Sequence, residues 1–188
     1  QGDFLLITGP NGGGKTSLLR TILRLQSPTK GRISFFRQGE PVSSLDMGYL
    51  PQKNSIDSRF PITVEAVVAS GLMGNTQKEN TKFDSKKEID EMLDLMGITA
   101  LRNKPIGVLS GGQLQRSLFG RALISKPEML ILDEPASYID RQFGNRMFEI
   151  LRDLSSNGTT IMMVSHEIEP FITLSNRNLY INHILGDR

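Results

Sequence analysis

Gly9-Pro10-Asn11-Gly12-Gly13-Gly14-Lys15-Thr16 has the form G-x-x-x-x-G-K-T and joins the apolar run Phe4–Thr8 to a helical pattern. Phosphate oxygens held by consecutive backbone N–H groups must come close to the chain. Side chains therefore have to be missing there, and the helix behind adds the positive end of its dipole. In this reading Gly9 to Gly14 cradle phosphate, Lys15 reaches the β- and γ-phosphates, Thr16 offers a hydroxyl to Mg²⁺, and Ser17 belongs to the same nucleotide-binding set. A second constellation is Met129-Leu130-Ile131-Leu132-Asp133-Glu134, an apolar run ending in two acids. A buried strand would carry Asp133 to the carboxyl edge of a sheet, placed to hold Mg²⁺. Glu134, one residue on, can face elsewhere and polarise an attacking water, which points to hydrolysis. The third is Leu109-Ser110-Gly111-Gly112-Gln113, a serine and two glycines opening a helix. It reads as a further anion-binding helix terminus, more than one nucleotide needs, or as a serine N-cap with flexible glycines.

Such residues need a sheet to bring them together, and the chain has the rhythm for one. Phe4–Thr8, Ile33–Phe36, Met47–Leu50, Met129–Leu132, Thr159–Val164 and Leu179–Ile181 read as strands. Helices are expected over Lys15–Gln26, Gly112–Ser125 and Gln142–Ser155, with a short one near Glu167–Leu174. Alternation of this kind predicts an α/β fold with a mostly parallel sheet.

The middle of the chain differs. Thr63–Met73 reads as a helix started by the Pro61 bend and a Thr63 cap, and Gly74–Asp84 as a polar loop. Ser85-Lys86-Lys87-Glu88 has the capping-box pattern and opens a helix with Ile89, Met92, Leu93 and Met96 on one face. Gly97–Leu109 leads out of the block. Residues 63–107 are thus expected as a helical subdomain inserted into a core of residues 1–62 and 108–188, within one domain.

Composition narrows the classes. The chain has 188 residues, no cysteine and a net charge of +2. Disulfides and thiolate metal sites are excluded, and so small an excess of basic residues gives no reason to expect a nucleic-acid partner. No apolar run approaches bilayer length, so any link to a membrane is expected through a partner. No His/Asp cluster has metal-ligand spacing.

The chain resembles the ATP-binding subunits of ABC transporters, a resemblance that covers nearly all of it. Leu109–Gln113 matches the family's signature motif, placed between the phosphate loop and the acidic strand. Gln52 in Tyr49-Leu50-Pro51-Gln52-Lys53 matches the Q-loop, Leu132–Pro135 the Walker B segment, Ser137–Asp140 the D-loop, and His166 in Val164-Ser165-His166-Glu167 the switch histidine. His183 matches no motif. The resemblance implies a P-loop ATPase fold and hydrolysis of ATP with Mg²⁺. It implies two subunits packed head to tail, each ATP lying between the phosphate loop of one and Ser110, Gly111, Gly112 and Gln113 of the other. Catalytic roles carried over are Glu134 as base, with His166, Gln52 and Lys15 organising water and phosphate; Thr16, Gln52 and Asp133 would serve the metal. It further implies integral membrane permease subunits, a periplasmic or lipoprotein solute-binding protein acting indirectly, and a location at the cytoplasmic face of the membrane. The family's adenine-stacking aromatic has no match here, since Phe4 belongs to the core strand; the chain is expected to begin inside a larger protein, with its first strands truncated.

Ile56-Asp57 followed by Phe60-Pro61-Ile62-Thr63-Val64-Glu65 is similar to the importers of zinc and manganese, and also to importers of iron-siderophore and haem complexes. A non-transport ABC ATPase of translation or DNA repair, or a module that binds ATP with little turnover, are the other readings. One cassette and no heptad run argue against the former, Glu134 against the latter.

Overall fold

The computed structural model describes residues 2–52, 60–73, 82–166, 169 and 171–182. Twelve elements follow in order: β1 (Phe4–Thr8), α1 (Lys15–Ile22), β2 (Phe35–Arg37), β3 (Glu40–Val42), β4 (Met47–Leu50), α2 (Val64–Ala69), α3 (Lys82–Leu95), α4 (Gly111–Leu123), β5 (Met129–Asp133), α5 (Arg141–Ser156), β6 (Thr160–Val164) and β7 (Arg177–Tyr180). Five of the strands form one sheet in the order β4-β5-β6-β1-β7, and every neighbouring pair is parallel.

Both faces of this sheet are covered, which is why β5, paired on both sides, is apolar from Met129 to Leu132 and buried at every residue. Successive side chains alternate. Leu130 and Leu132 join Phe4, Leu6, Ile161 and Met163 in a core completed by α2, α4 and α5. Met129 and Ile131 point the other way and join Ile7, Val164 and Leu19 of α1. The larger core runs without a break from the sheet into Val64, Val67, Leu93 and Met96 of the helical block. On α5 the buried residues are Phe143, Met147 and Leu151, one turn apart, the stripe expected of a helix lying on a sheet.

Several sequence expectations change at the edges. Helix α1 ends at Ile22 rather than Gln26, because Arg24 takes a left-handed φ of 58° and Leu23 N–H closes back on Leu19. The strand expected at Ile33–Phe36 is Phe35–Arg37, and it forms an antiparallel hairpin with β3 that the turn-rich segment concealed. Gln38 and Gly39 both have positive φ, 53° and 87°, as a two-residue mirror-image turn requires. Thr63 caps α2 as expected, its Oγ1 accepting from Ala66 N–H at 3.2 Å, but the helix gives way to a 3₁₀ turn over Ser70–Leu72. Ser85 is not a cap: α3 has already begun at Lys82, inside the expected loop. Helix α4 spans Gly111–Leu123 and the last strand Arg177–Tyr180, each shifted slightly from the expected bounds. Residues 171–174 form turns rather than a helix, while 167, 168 and 170 lie outside the described residues. So do 53–59, which carry Ile56-Asp57, the rest of the expected loop at 74–81, and His183.

Candidate phosphate and hydrolysis site

Four strands of the parallel sheet end at the same edge, and each hands on one part of the site. After β1 comes the Gly9–Thr16 loop, after β4 Gln52, after β5 Glu134 and after β6 His166. Together Asn11 to Ser17, Gln52, Asp133, Glu134, Val164 and His166 line one cleft of about 250 Å³. The carboxyl edge of an open α/β sheet is where such clefts form, because the loops there leave parallel strands in the same direction.

The loop needs its glycines for two separate reasons. Gly9 passes so close to the chain after β7 that a Cβ would lie 1.9 Å from the Ile181 carbonyl oxygen, and one on Gly13 would meet the Pro10 oxygen at 2.9 Å. Gly12 and Gly14 have room around them but positive φ, 76° and 96°. Gly14 sits at the N-cap of α1, so the helix begins directly beneath the loop. Lys15 is 7% exposed. Its Nζ donates to the Gly9 and Pro10 carbonyls, both at 2.9 Å, holding the ammonium against the loop.

Period two decides where Asp133 points. It shares the face of Met129 and Ile131, the face on which α1 packs, and Thr16 on the first turn of α1 donates its hydroxyl to Asp133 Oδ2 at 3.1 Å. Burial raises the Asp133 carboxyl above its ordinary range, against the opposing effects of Thr16, Lys15 and Arg20. Glu134 breaks the strand with a left-handed φ of 54°, its N–H donating to the Val164 carbonyl at 2.9 Å. Its carboxyl is also raised by burial, partly countered by His166. His166 N–H donates to Glu134 Oε2 at 3.4 Å and its Nε2 lies 3.3 Å from Oε1. That Nε2 contact lacks hydrogen-bond alignment: Oε1 is a buried carboxylate oxygen with no hydrogen-bond partner among the described residues.

The signature segment lies elsewhere. Ser110 is the N-cap of α4, with Oγ accepting from Gln113 N–H at 3.3 Å while Gln113 Oε1 accepts from Ser110 N–H at 3.0 Å. Ser110 is thus the serine N-cap expected as one of the two readings, and Gln113 adds the reciprocal half of a capping box. Ser110, Gly111, Gly112 and Gln113 line a second concavity with Gly97, Arg116, Tyr138 and Asp140, and none of them lines the phosphate cleft. A Cβ on Gly112 would lie 2.8 Å from the Tyr138 carbonyl oxygen, so only glycine lets these two segments meet.

Residues 1–137 match the family model described as ABC transporter. The chain belongs to the ABC transporter family. As an ABC ATPase it is 40% identical, over 98% of its own length and 76% of the relative's, to the "probable metal transport system ATP-binding protein" of Chlamydia pneumoniae. It is 37% identical to the zinc uptake system ATP-binding protein of Listeria monocytogenes, covering 99% of this chain and 72% of that one. Among solved structures it is similar to a dimeric ATP-binding cassette in a post-hydrolysis state with ADP and Pi. The TM-score is 0.81 at 25% identity, over 96% of this chain and 82% of that one. By family the chain is thus an ATP-binding ATPase, on the α/β fold that the alternating pattern predicts.

The donor set in the cleft fits Mg²⁺ only with help. Among the described residues no group of three or more His, Cys, Asp or Glu could hold a metal. One hydroxyl and one carboxylate within hydrogen-bond reach suit an ion that keeps waters and takes its remaining ligands from a nucleotide. Sequence reasoning missed Val164, whose carbonyl orients Glu134, and Gln115 and Arg116 of α4, taken up below. A polar residue between Leu114 and Leu118, on the buried side of an amphipathic helix, was the available signal for Gln115.

Proposed function

We propose that this ABC ATPase powers a transporter that imports zinc, manganese or a related metal, working as an ATP-driven dimer on integral membrane permease subunits. The metal reading is supported by the two relatives and by the Phe60–Glu65 resemblance. A peripheral position at the cytoplasmic face of the membrane, and a solute-binding protein acting upstream, follow from that reading. No helix of the described residues is long and apolar enough to cross a membrane.

The observation that carries the mechanism is that Glu134 lines the same cleft as the phosphate loop and His166, and that its Oε1, 3.3 Å from His166 Nε2, has no hydrogen-bond partner among the described residues. A water between this oxygen and the γ-phosphate would give up its proton to Glu134 as it attacks phosphorus, releasing phosphate and ADP. His166 orients the carboxylate and the water. Lys15 leaves the Gly9 and Pro10 carbonyls for the β- and γ-phosphates, while the N–H groups of Gly12 to Thr16, with the α1 dipole, hold phosphate oxygens. Thr16, Asp133 and Gln52 would hold Mg²⁺, which supplies charge neutralisation on the phosphates. Ser110, Gly111, Gly112 and Gln113 complete a partner's site, which accounts for their lying away from this chain's own cleft.

Deleting the gene from its host tests the metal assignment. Growth is expected to become sensitive to a zinc or manganese chelator and to recover when that metal is added. Dependence on iron-siderophore or haem supply instead would move the protein to the neighbouring importer class.

A further inference from the structure

Glu134 to Ser137 form a tight turn, closed by Ser137 N–H donating to the Glu134 carbonyl at 3.3 Å with Pro135 in the second position. Glu134 enters this turn at a φ of 54°, a conformation that non-glycine residues hold only where the surroundings determine it. The carbonyl of buried Pro135 takes no part in the turn's own hydrogen bond and needs a donor from outside. Gln115 of α4 supplies it: Nε2 donates to Pro135 O at 3.1 Å.

Gln115 is 1% exposed, and its other amide atom, Oε1, has no hydrogen-bond partner among the described residues. A buried acceptor left unpaired is costly, so a methionine of similar shape would suit the surrounding core at least as well. The amide therefore has to be explained by the one hydrogen bond it makes among the described residues, and that bond is to the residue directly after Glu134. Arg116, next on α4, ties that helix to the start of α5. It pairs with Asp140 and lies over the Phe143 ring at 4.5 Å.

We propose that Gln115 is a positioning residue for hydrolysis: by holding the Pro135 carbonyl it keeps Glu134 in the left-handed conformation that presents its carboxylate to the phosphate cleft. This rests on the reading of Glu134 as the base. Gln115 touches neither nucleotide nor water in this scheme; it acts through the turn.

The test compares parent, Gln115→Met, Gln115→His and Glu134→Gln proteins for kcat, KM for ATP, and Tm. Gln115→Met, assayed well below its Tm, is expected to lower kcat about tenfold while KM stays within about twofold and Tm falls by only a few degrees, the cost of leaving the Pro135 carbonyl without its donor; a small displacement of a reacting group costs rate rather than binding. Gln115→His keeps an N–H donor and is expected to recover part of the lost kcat. Parental kcat in Gln115→Met beside an inactive Glu134→Gln overturns the inference alone. So does a loss of kcat that tracks a lowered Tm and is not relieved by histidine. Parental turnover in Glu134→Gln overturns the base assignment and the inference together.

Discussion

The Thr16 hydroxyl donates to Asp133 Oδ2 at 3.1 Å, joining the first turn of α1 to the end of β5 across 117 positions of sequence. Neither residue is metal-binding by itself. Brought together beneath a phosphate loop, both residues line one cleft, and they are the ones that would hold a divalent cation, which would supply charge neutralisation on the phosphates.

Thr16→Ala is therefore expected to cut Mg²⁺-supported turnover about a hundredfold while leaving nucleotide binding in EDTA nearly unchanged. Titrating a fluorescent ATP analogue with and without Mg²⁺ separates the two. An equal loss in both conditions would place Thr16 in phosphate binding rather than in the metal site.

Glu134→Gln is expected to lower turnover by about 10²- to 10⁴-fold and to accumulate as an ATP-bound dimer on size-exclusion chromatography. In the parent, burial raises the Glu134 carboxyl. The basic form then needs a higher pH than an exposed glutamate, so the acid limb of kcat should lie above the ordinary value of about 4.3. A limb at or below that value contradicts a buried base.

Two glycines of one loop should fail differently. Gly9→Ala drives a Cβ to 1.9 Å from the Ile181 carbonyl at a φ of 144°, and a backbone has to move. A Tm loss of many degrees and loss of ATP binding are expected. Gly14→Ala meets nothing within 4 Å and pays only for its left-handed φ, about 1–2 kcal/mol. Thermal melts of the two variants check the order; equal losses would mean that space does not distinguish them.

Asp140 caps α5, accepting from Phe143 N–H at 2.9 Å, and pairs with Arg116; these contacts hold its carboxyl below the usual carboxylate range. A depressed folded pKa contributes stability above the unfolded value of about 3.9, lost as pH falls through the folded one. Asn keeps the cap but not the charge. Asp140→Asn should thus be less stable than the parent at neutral pH, and the gap should close on acidification. Denaturant unfolding at a series of pH values reads this directly, and a pH-independent gap would exclude the ion pair as its source.

Much of this protein was readable in one dimension. The phosphate loop is contiguous because its chemistry is backbone chemistry: glycines, a lysine and a helix start have to follow one another. The Met129–Asp133 strand was legible because a parallel strand covered on both faces is apolar along most of its length, here Met129 to Leu132, and the acids that end it stand out. The β2–β3 hairpin was not, because Gln38-Gly39 lacks the usual asparagine. The cap placed at Ser85 failed because the helix propagates from Lys82, and local capping patterns do not say which of several turns is first. Packing between distant elements settled which residues meet. Strand alternation turned Asp133 toward Thr16; a left-handed Glu134 came to His166; Gln115 reached the Pro135 carbonyl; and Ser110 to Gln113 stood apart from the cleft. These relations depend on side-chain direction and on packing between distant elements, and neither is encoded in the spacing of residues along the chain.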